Sequence, residues 1–387
     1  MEKLGDTPRG DIWYSMTPKE QHKVMKQIVE WEARLMSLNF PAYGSIYYHQ
    51  DLPSEKKVPL PDQHDAAFCI GLMIYYNWWH GNRCTLDIDR GPWLSSVDIF
   101  RAGIYHFADV SPDSHVKDLS NYLMLVPCLG FKAGTLLHRP VMRHPDFQPN
   151  NILVSDTKEI VGLIDWQHCT ILPLGLAAGI PKHFQNYGDP DSENLREPQL
   201  DLPSNYDSLP HSKQVLARET MRKRLVHFLY ASLTERLNEE HYDAIFDRIT
   251  ILRQRLFKGA GTPWEGDSIT LRAEMIRAIQ SWPEFALADS VVSERGACST
   301  PPIGYSEKVV RDTLALDAQQ KEADVAMDQM RHILGVDVLG WVPNDEYEAA
   351  RETAREMKAK MLEAAETPHE VTGVKDQFPF DDFDENT

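Results

Sequence analysis

Asp146, Asn151 and Asp165 put two carboxylates and an amide within twenty residues of one another. They stand in Arg143-His144-Pro145-Asp146-Phe147-Gln148-Pro149-Asn150-Asn151 and, fourteen residues beyond Asn151, in Ile164-Asp165-Trp166. The pattern is H-x-D-x-x-x-x-N followed by an apolar pair ending in Asp. Phosphoryl transfer asks for such a set: an Asp that receives or orients the attacking hydroxyl, and an amide and a second carboxylate that hold Mg²⁺ against nucleotide phosphates. An amide oxygen and a carboxylate suit a hard, oxygen-seeking cation. Little covalent chemistry falls to the protein, so position and charge carry the reaction. Asp146 is the candidate base, with Asn151 and Asp165 as metal ligands. His144 braces the loop by hydrogen bonds, Arg143 neutralises a nearby acid or orders the chain after Asp165, and Gln148 contacts the acceptor.

A hairpin must bring these residues together. Asn151-Ile152-Leu153-Val154 and Ile160-Val161-Gly162-Leu163-Ile164 are strand-like runs on either side of a turn-rich Ser155-Asp156-Thr157-Lys158-Glu159. Pairing of the runs sets Asn151 beside Asp165. Upstream, Thr17-Pro18-Lys19-Glu20 starts a helix with a capping box and Pro in its first turn. Its stripe of Val24, Ile28, Trp31, Leu35 and Leu38 is core, and Asn39-Phe40-Pro41 ends it. Ser45 to Tyr48 is a strand, 51–65 a Pro-rich polar loop, and 66–76 a buried helix or strand. Helices are expected over 93–110 and 116–126, with Trp78, Trp79 and Trp93 packing nearby.

After Asp165 the chain is irregular to Gly188-Asp189-Pro190, and 192–212 is a surface excursion. Helices follow over 213–238, 240–258, 268–280, 306–333 and 344–366, with a linker over 288–304. The Arg222-Lys223-Arg224 cluster is a solvated face. The acidic tail with Phe378, Phe380 and Phe383 frays by default, its aromatics giving it a means to dock.

Composition bounds the rest. The 387 residues are 42% hydrophobic and 25% charged, a globular balance. No apolar run reaches the length of a membrane span. A formal charge of −18 disfavours nucleic acid and anionic membranes as partners and suits a cationic acceptor. The five cysteines, Cys69, Cys84, Cys128, Cys169 and Cys298, show no metal spacing, so reduced thiols in an intracellular, reducing compartment are expected. No secretory or transit segment opens the chain.

The loop resembles the aminoglycoside phosphotransferase and choline-kinase-like branch of the protein-kinase-like fold, where Pro149 and Asn151 keep the pattern H-x-D-x-x-P-x-N. Trp166 stands where protein kinases have Phe, and Gln148 where the antibiotic-modifying members have His. The longer string through Gln167-His168, Leu172-Pro173-Leu174 and Ala178-Gly179-Ile180-Pro181 is similar to a fungal group, the altered-inheritance-of-mitochondria protein nine family.

That resemblance implies an α+β, mostly helical fold: a kinase-like large lobe with a short catalytic hairpin and the small nucleotide lobe largely absent. Its parts would be a hinge-like segment over 1–16, a large lobe over 17–290 with the catalytic loop at 143–168, a helical extension over 291–366 and an acidic tail over 367–387. It implies ATP, Mg²⁺, a small-molecule hydroxyl acceptor and a mitochondrial address. The chain would begin where the nucleotide lobe has ended, since no G-x-G-x-x-G, G-x-x-x-x-G-K-[ST] or V-A-I-K-like lysine occurs. A non-catalytic kinase-like scaffold with a mitochondrial role is the competing expectation.

Overall fold

Helix α1 (Pro18–Met36) starts where the capping signature placed it. The Thr17 hydroxyl accepts from the Glu20 N–H at 3.3 Å, and the Glu20 carboxylate accepts from the Thr17 N–H at 2.9 Å. Its buried line runs through Gln21, Val24, Met25, Ile28, Val29, Glu32 and Met36. The expected stripe is right at Val24 and Ile28 and drifts beyond them. Trp31 and Leu35 are half-buried and Leu38, past the C-cap Ser37, is exposed. A charged residue, Glu32, occupies the core position instead.

The computed structural model describes Trp13 and residues 16–61, 67–79, 84–102, 113–261, 268–287, 299–336, 342 and 347–381. Apart from Trp13 and Met16, the hinge-like segment lies outside them. The chain divides into two compact units, Met1–Ser306 and Glu307–Thr387.

In the first unit, β1 (Ser45–Tyr48), β2 (Val58–Pro59) and β3 (Phe68–Gly71) form an antiparallel sheet in the order β1-β3-β2. The apolar run over 66–76 therefore resolves as a strand, and the polar loop after Asp51 contains a short one. Helices α2 (Ser96–Ala102) and α3 (Asp113–Leu129) follow. The remainder of the helix expected over 93–110 lies outside the described residues, and Trp93 pairs by its backbone with Tyr43. Next come β4 (Pro140–Met142), the hairpin β5 (Ile152–Val154) and β6 (Ile160–Leu163), β7 (Ile171–Pro173), and the short helices α4 (Leu174–Ala177) and α5 (Pro190–Glu193).

The helical body comprises α6 (His211–Leu237), α7 (Glu239–Phe246), α8 (Arg248–Gly261), α9 (Ile269–Gln280) and α10 (Trp282–Leu287). The single helix expected over 240–258 is two. Asp247 leaves the helical region at ψ 117°, and its carboxylate caps the next helix by accepting from the Thr250 N–H at 2.6 Å. One core joins α1, the hairpin and α6 through Ile28, Val154, Ile160, Val226 and Tyr230. Another joins α3, α8, α9 and α10 through Tyr122, Leu256, Met275 and Phe285. Trp78 and Trp93 are buried in a third, as packing requires. Cys69, Cys84 and Cys169 are free thiols. No described helix is long and apolar enough to cross a membrane.

The second unit holds α11 (Glu307–Leu334), α12 (Tyr347–Ala364) and α13 (Pro368–Gln377). Leu334, Ala354 and Phe378 form its small core. Phe378 is docked within its own unit, so this part of the tail does not fray.

Candidate active site at the hairpin base

Two short ladders frame the loop that carries Asp146. On one side β4 pairs with β7, Met142 opposite Ile171; on the other β5 pairs with β6, Ile152 opposite Leu163. The segments 143–151 and 164–170 are thus held at both ends by backbone hydrogen bonds and face each other between them. The turn closing the hairpin is itself fixed: the Ser155 N–H bonds Glu159 O at 2.8 Å, and Lys158 takes φ +62°. Helix α1 grips that turn. The Gln27 amide donates to Lys158 O (2.8 Å) and accepts from the Ile160 N–H (2.9 Å), where a bulge between Leu153 and Val154 shifts the register.

Inside this frame Asn151 is 7% exposed and links the two loops. Its Nδ2 donates to the Asp146 carbonyl (2.9 Å) and to Asp146 Oδ2 (3.0 Å). Its backbone carbonyl accepts from the Ile164 N–H at 3.0 Å. With the amide nitrogen turned to Asp146, the amide oxygen points away from it. The hairpin thus sets Asn151 against Ile164, the residue before Asp165.

His144, 4% exposed, pins the same two residues, Asp146 and Ile164, through their other backbone groups. Its Nδ1 accepts from the Asp146 N–H at 3.2 Å, so Nε2 carries the proton and donates to Ile164 O at 2.9 Å. Burial holds the imidazole below its ordinary pKa, against the pull of that carbonyl and of the nearby Asp146 and Asp165 carboxylates. A neutral ring between two acids is a brace. Trp166 stands edge-on to it, 4.7 Å between centroids, and donates its indole N–H to Leu163 O at 3.1 Å.

Ile164 therefore has both backbone groups occupied, and Asp165 follows it at φ +63°, as does His168. Asp is among the few side chains that tolerate this region, and such residues cluster at functional sites. Asp165 is exposed and its carboxylate takes no hydrogen bond among the described residues. Asp146 is exposed too, but Oδ2 is taken by Asn151 and by the Gln148 amide. Gln148, expected at the acceptor, is turned onto Asp146.

Arg143 does not touch Asp146. Its Nε donates to Glu32 Oε1 (2.6 Å), Nη1 to Ala177 O (3.0 Å), and Nη2 to Gly179 O (2.5 Å) and Tyr230 Oη (3.0 Å). Tyr230 donates to Glu32 Oε2, and His241 Nδ1 lies 3.7 Å from the same oxygen. Burial works against the charge of Glu32, and Arg143, then His241 and Tyr230, outweigh it, so its carboxyl lies below the ordinary value. His241 accepts from the Gly179 N–H at 3.3 Å, and burial depresses its pKa to about 4. Sequence reasoning did not single out Glu32, Tyr230 or His241. A carboxylate three and seven residues from Val29 and Met25, on an otherwise apolar face, was the available signal for Glu32.

Among the described residues no three His, Cys, Asp or Glu side chains converge as a metal cluster. The donors here are one carboxylate and one amide, which together with phosphate oxygens fit Mg²⁺ and not a metal held by protein alone.

Comparisons with known proteins add a relation. The chain is 26% identical to a subtelomeric hrmA-associated cluster protein of Aspergillus fumigatus, over 100% of this chain and 82% of that one. It is 22% identical to altered inheritance of mitochondria protein 9, mitochondrial, of Vanderwaltozyma polyspora and 21% to that of Saccharomyces cerevisiae, each over 86% of this chain. The chain is related to this fungal group. It spans 55% and 57% of those two mitochondrial relatives. No family model and no solved structure matches it.

Proposed function

We propose that this chain is the large lobe of a kinase-like phosphotransferase that moves a phosphoryl group from ATP to the hydroxyl of a small molecule, with Mg²⁺. The observation that carries the reading is Asn151: its side chain holds Asp146 at 3.0 Å while its backbone carbonyl takes the Ile164 N–H at 3.0 Å, next to Asp165. The base and Asn151 are then one hydrogen-bonded unit, with Asp165 one residue beyond the backbone bond that ends it.

Asp146 has Oδ2 saturated by two amide donors, which fixes the carboxylate and leaves Oδ1 for the acceptor hydroxyl. There it would orient the hydroxyl and take its proton as the acceptor oxygen bonds the γ-phosphorus and the bond from that phosphorus to the ADP oxygen breaks, releasing ADP. Asn151 Oδ1 and Asp165 would hold Mg²⁺, which when bound with the phosphates neutralises their charge. His144 stays neutral and keeps both loops in register. An acidic chain at −18 suits a cationic acceptor.

Replacing Asp146 with Asn should lower turnover by at least about 10²-fold, the scale of a lost general base, with an unchanged melting temperature. Parent-like rates in that variant would remove the assignment. Calorimetry with Mg·ATP tests the metal site: heat for the parent and none for Asp165→Asn is expected.

A second reading is a non-catalytic kinase-like scaffold with a mitochondrial role. It draws support from the names of the yeast relatives. Absence of heat from the parent at saturating Mg·ATP selects it.

A further inference from the structure

We infer that Glu32, on α1, is a positioning residue for this site, acting through Arg143; the inference builds on the phosphotransfer reading. Arg143 sits immediately before His144, and its guanidinium is fully engaged: Glu32, Tyr230, Ala177 O and Gly179 O take its donors. Its own carbonyl accepts from Cys169 Sγ at 3.5 Å. One residue thus ties both limbs of the segment that follows Asp165, at Cys169 and at 177–179, to the start of the Asp146 loop.

That grip depends on the Glu32 charge. The carboxylate is 1% exposed and faces Arg143, Tyr230 and His241 from three elements. A buried guanidinium without its counter-charge is strongly disfavoured, whereas apolar residues of like volume can replace a whole buried pair without loss. Simple packing therefore does not call for a carboxylate here. A carboxylate that orients an arginine with four fixed donors does. Glu32 lies 111 residues before Arg143 and touches none of the proposed reacting groups.

The test is amide hydrogen exchange of the full-length chain, followed by mass spectrometry, in the parent, Glu32→Ala, Glu32→Gln and Tyr230→Phe. Exchange over 143–148 and 174–181 should rise together in Glu32→Ala, by at least about tenfold more than over α9, the internal reference. Added formate, a carboxylate small enough for the vacated space, should restore the parent rates in Glu32→Ala. Tyr230→Phe, which removes one donor and keeps the charge pair, should show a smaller rise at the same two segments.

Parent-like exchange at both segments would overturn the inference, as would an equal rise over α9, or a loss that formate leaves unchanged. If Glu32→Ala does not fold, Glu32→Gln and Tyr230→Phe give the same reading. Mg·ATP calorimetry on the same samples separates the two claims. A silent parent sinks phosphotransfer and leaves the exchange result standing. A binding parent should lose about tenfold in affinity on Glu32→Ala.

Discussion

Glu32 and Asp165 are both carboxylates near the same loop, and they live in opposite conditions. Glu32 is sealed, with each oxygen accepting a hydrogen bond and a third polar group, His241, 3.7 Å away. Asp165 is exposed, held by its backbone at φ +63°, with no described partner for its side chain. Asp146 lies between the extremes, one oxygen saturated and the other left open. The difference teaches a division of labour. A buried carboxylate is kept only if its charge is matched, and then it fixes geometry. A carboxylate that is to meet a ligand must be aimed by the main chain and left unsatisfied.

Removing each acid in turn tests that division, and the largest effect should come from the buried one. Glu32→Ala leaves Arg143 buried without its charge and should cost about 3–5 kcal/mol, read from the denaturation midpoint; a loss below about 1 kcal/mol would place Glu32 with the surface acids.

Acid should bring the next largest change. The folded-state pKa of His241, about 4, lies below its ordinary 6.5, so the unfolded chain binds the proton first as pH falls. The stability tied to this neutral histidine is whole above pH 6.5 and drains away toward pH 4, up to about 3 kcal/mol. Glu32, whose carboxyl is also depressed, adds to the loss only below its own ordinary value of 4.5. Urea unfolding at stepped pH should therefore show a decline beginning near 6.5 that His241→Gln lessens, the other buried histidines, His183 and His144 among them, carrying the rest. An unchanged decline in that variant would exclude His241 as its source.

Asn151→Ala takes away a buried amide that holds the Asp146 backbone and carboxylate, a loss of about 1–2 kcal/mol, and should abolish Mg·ATP heat in a protein that binds it. Smallest in stability is Asp165→Asn, expected within about 0.5 kcal/mol of the parent because its exposed carboxylate takes no hydrogen bond among the described residues. A large destabilisation there would break the contrast with Glu32.

Much of the frame could be read from residues near one another in the chain. The capping box of α1, the hairpin with its turn, and the loop that brings Asn151 against the Asp165 segment all follow from local hydrogen bonding and alternation. The limits are as specific. The helix over 240–258 broke because Asp247 caps a new one, a choice that periodicity cannot register. The stripe of α1 drifted because apolarity was counted, while the packed face also accommodates a paired Glu32.

Residue type and order were enough to pick out the reactive side chains and the local turns that carry them, since those depend on neighbours a few positions apart. Tertiary structure alone decided that Arg143 serves the chain after Asp165 and not the base, and that Glu32 pairs with a residue 111 positions away. Charges buried together are chosen by where helices pack, and no short-range pattern in the chain encodes that meeting.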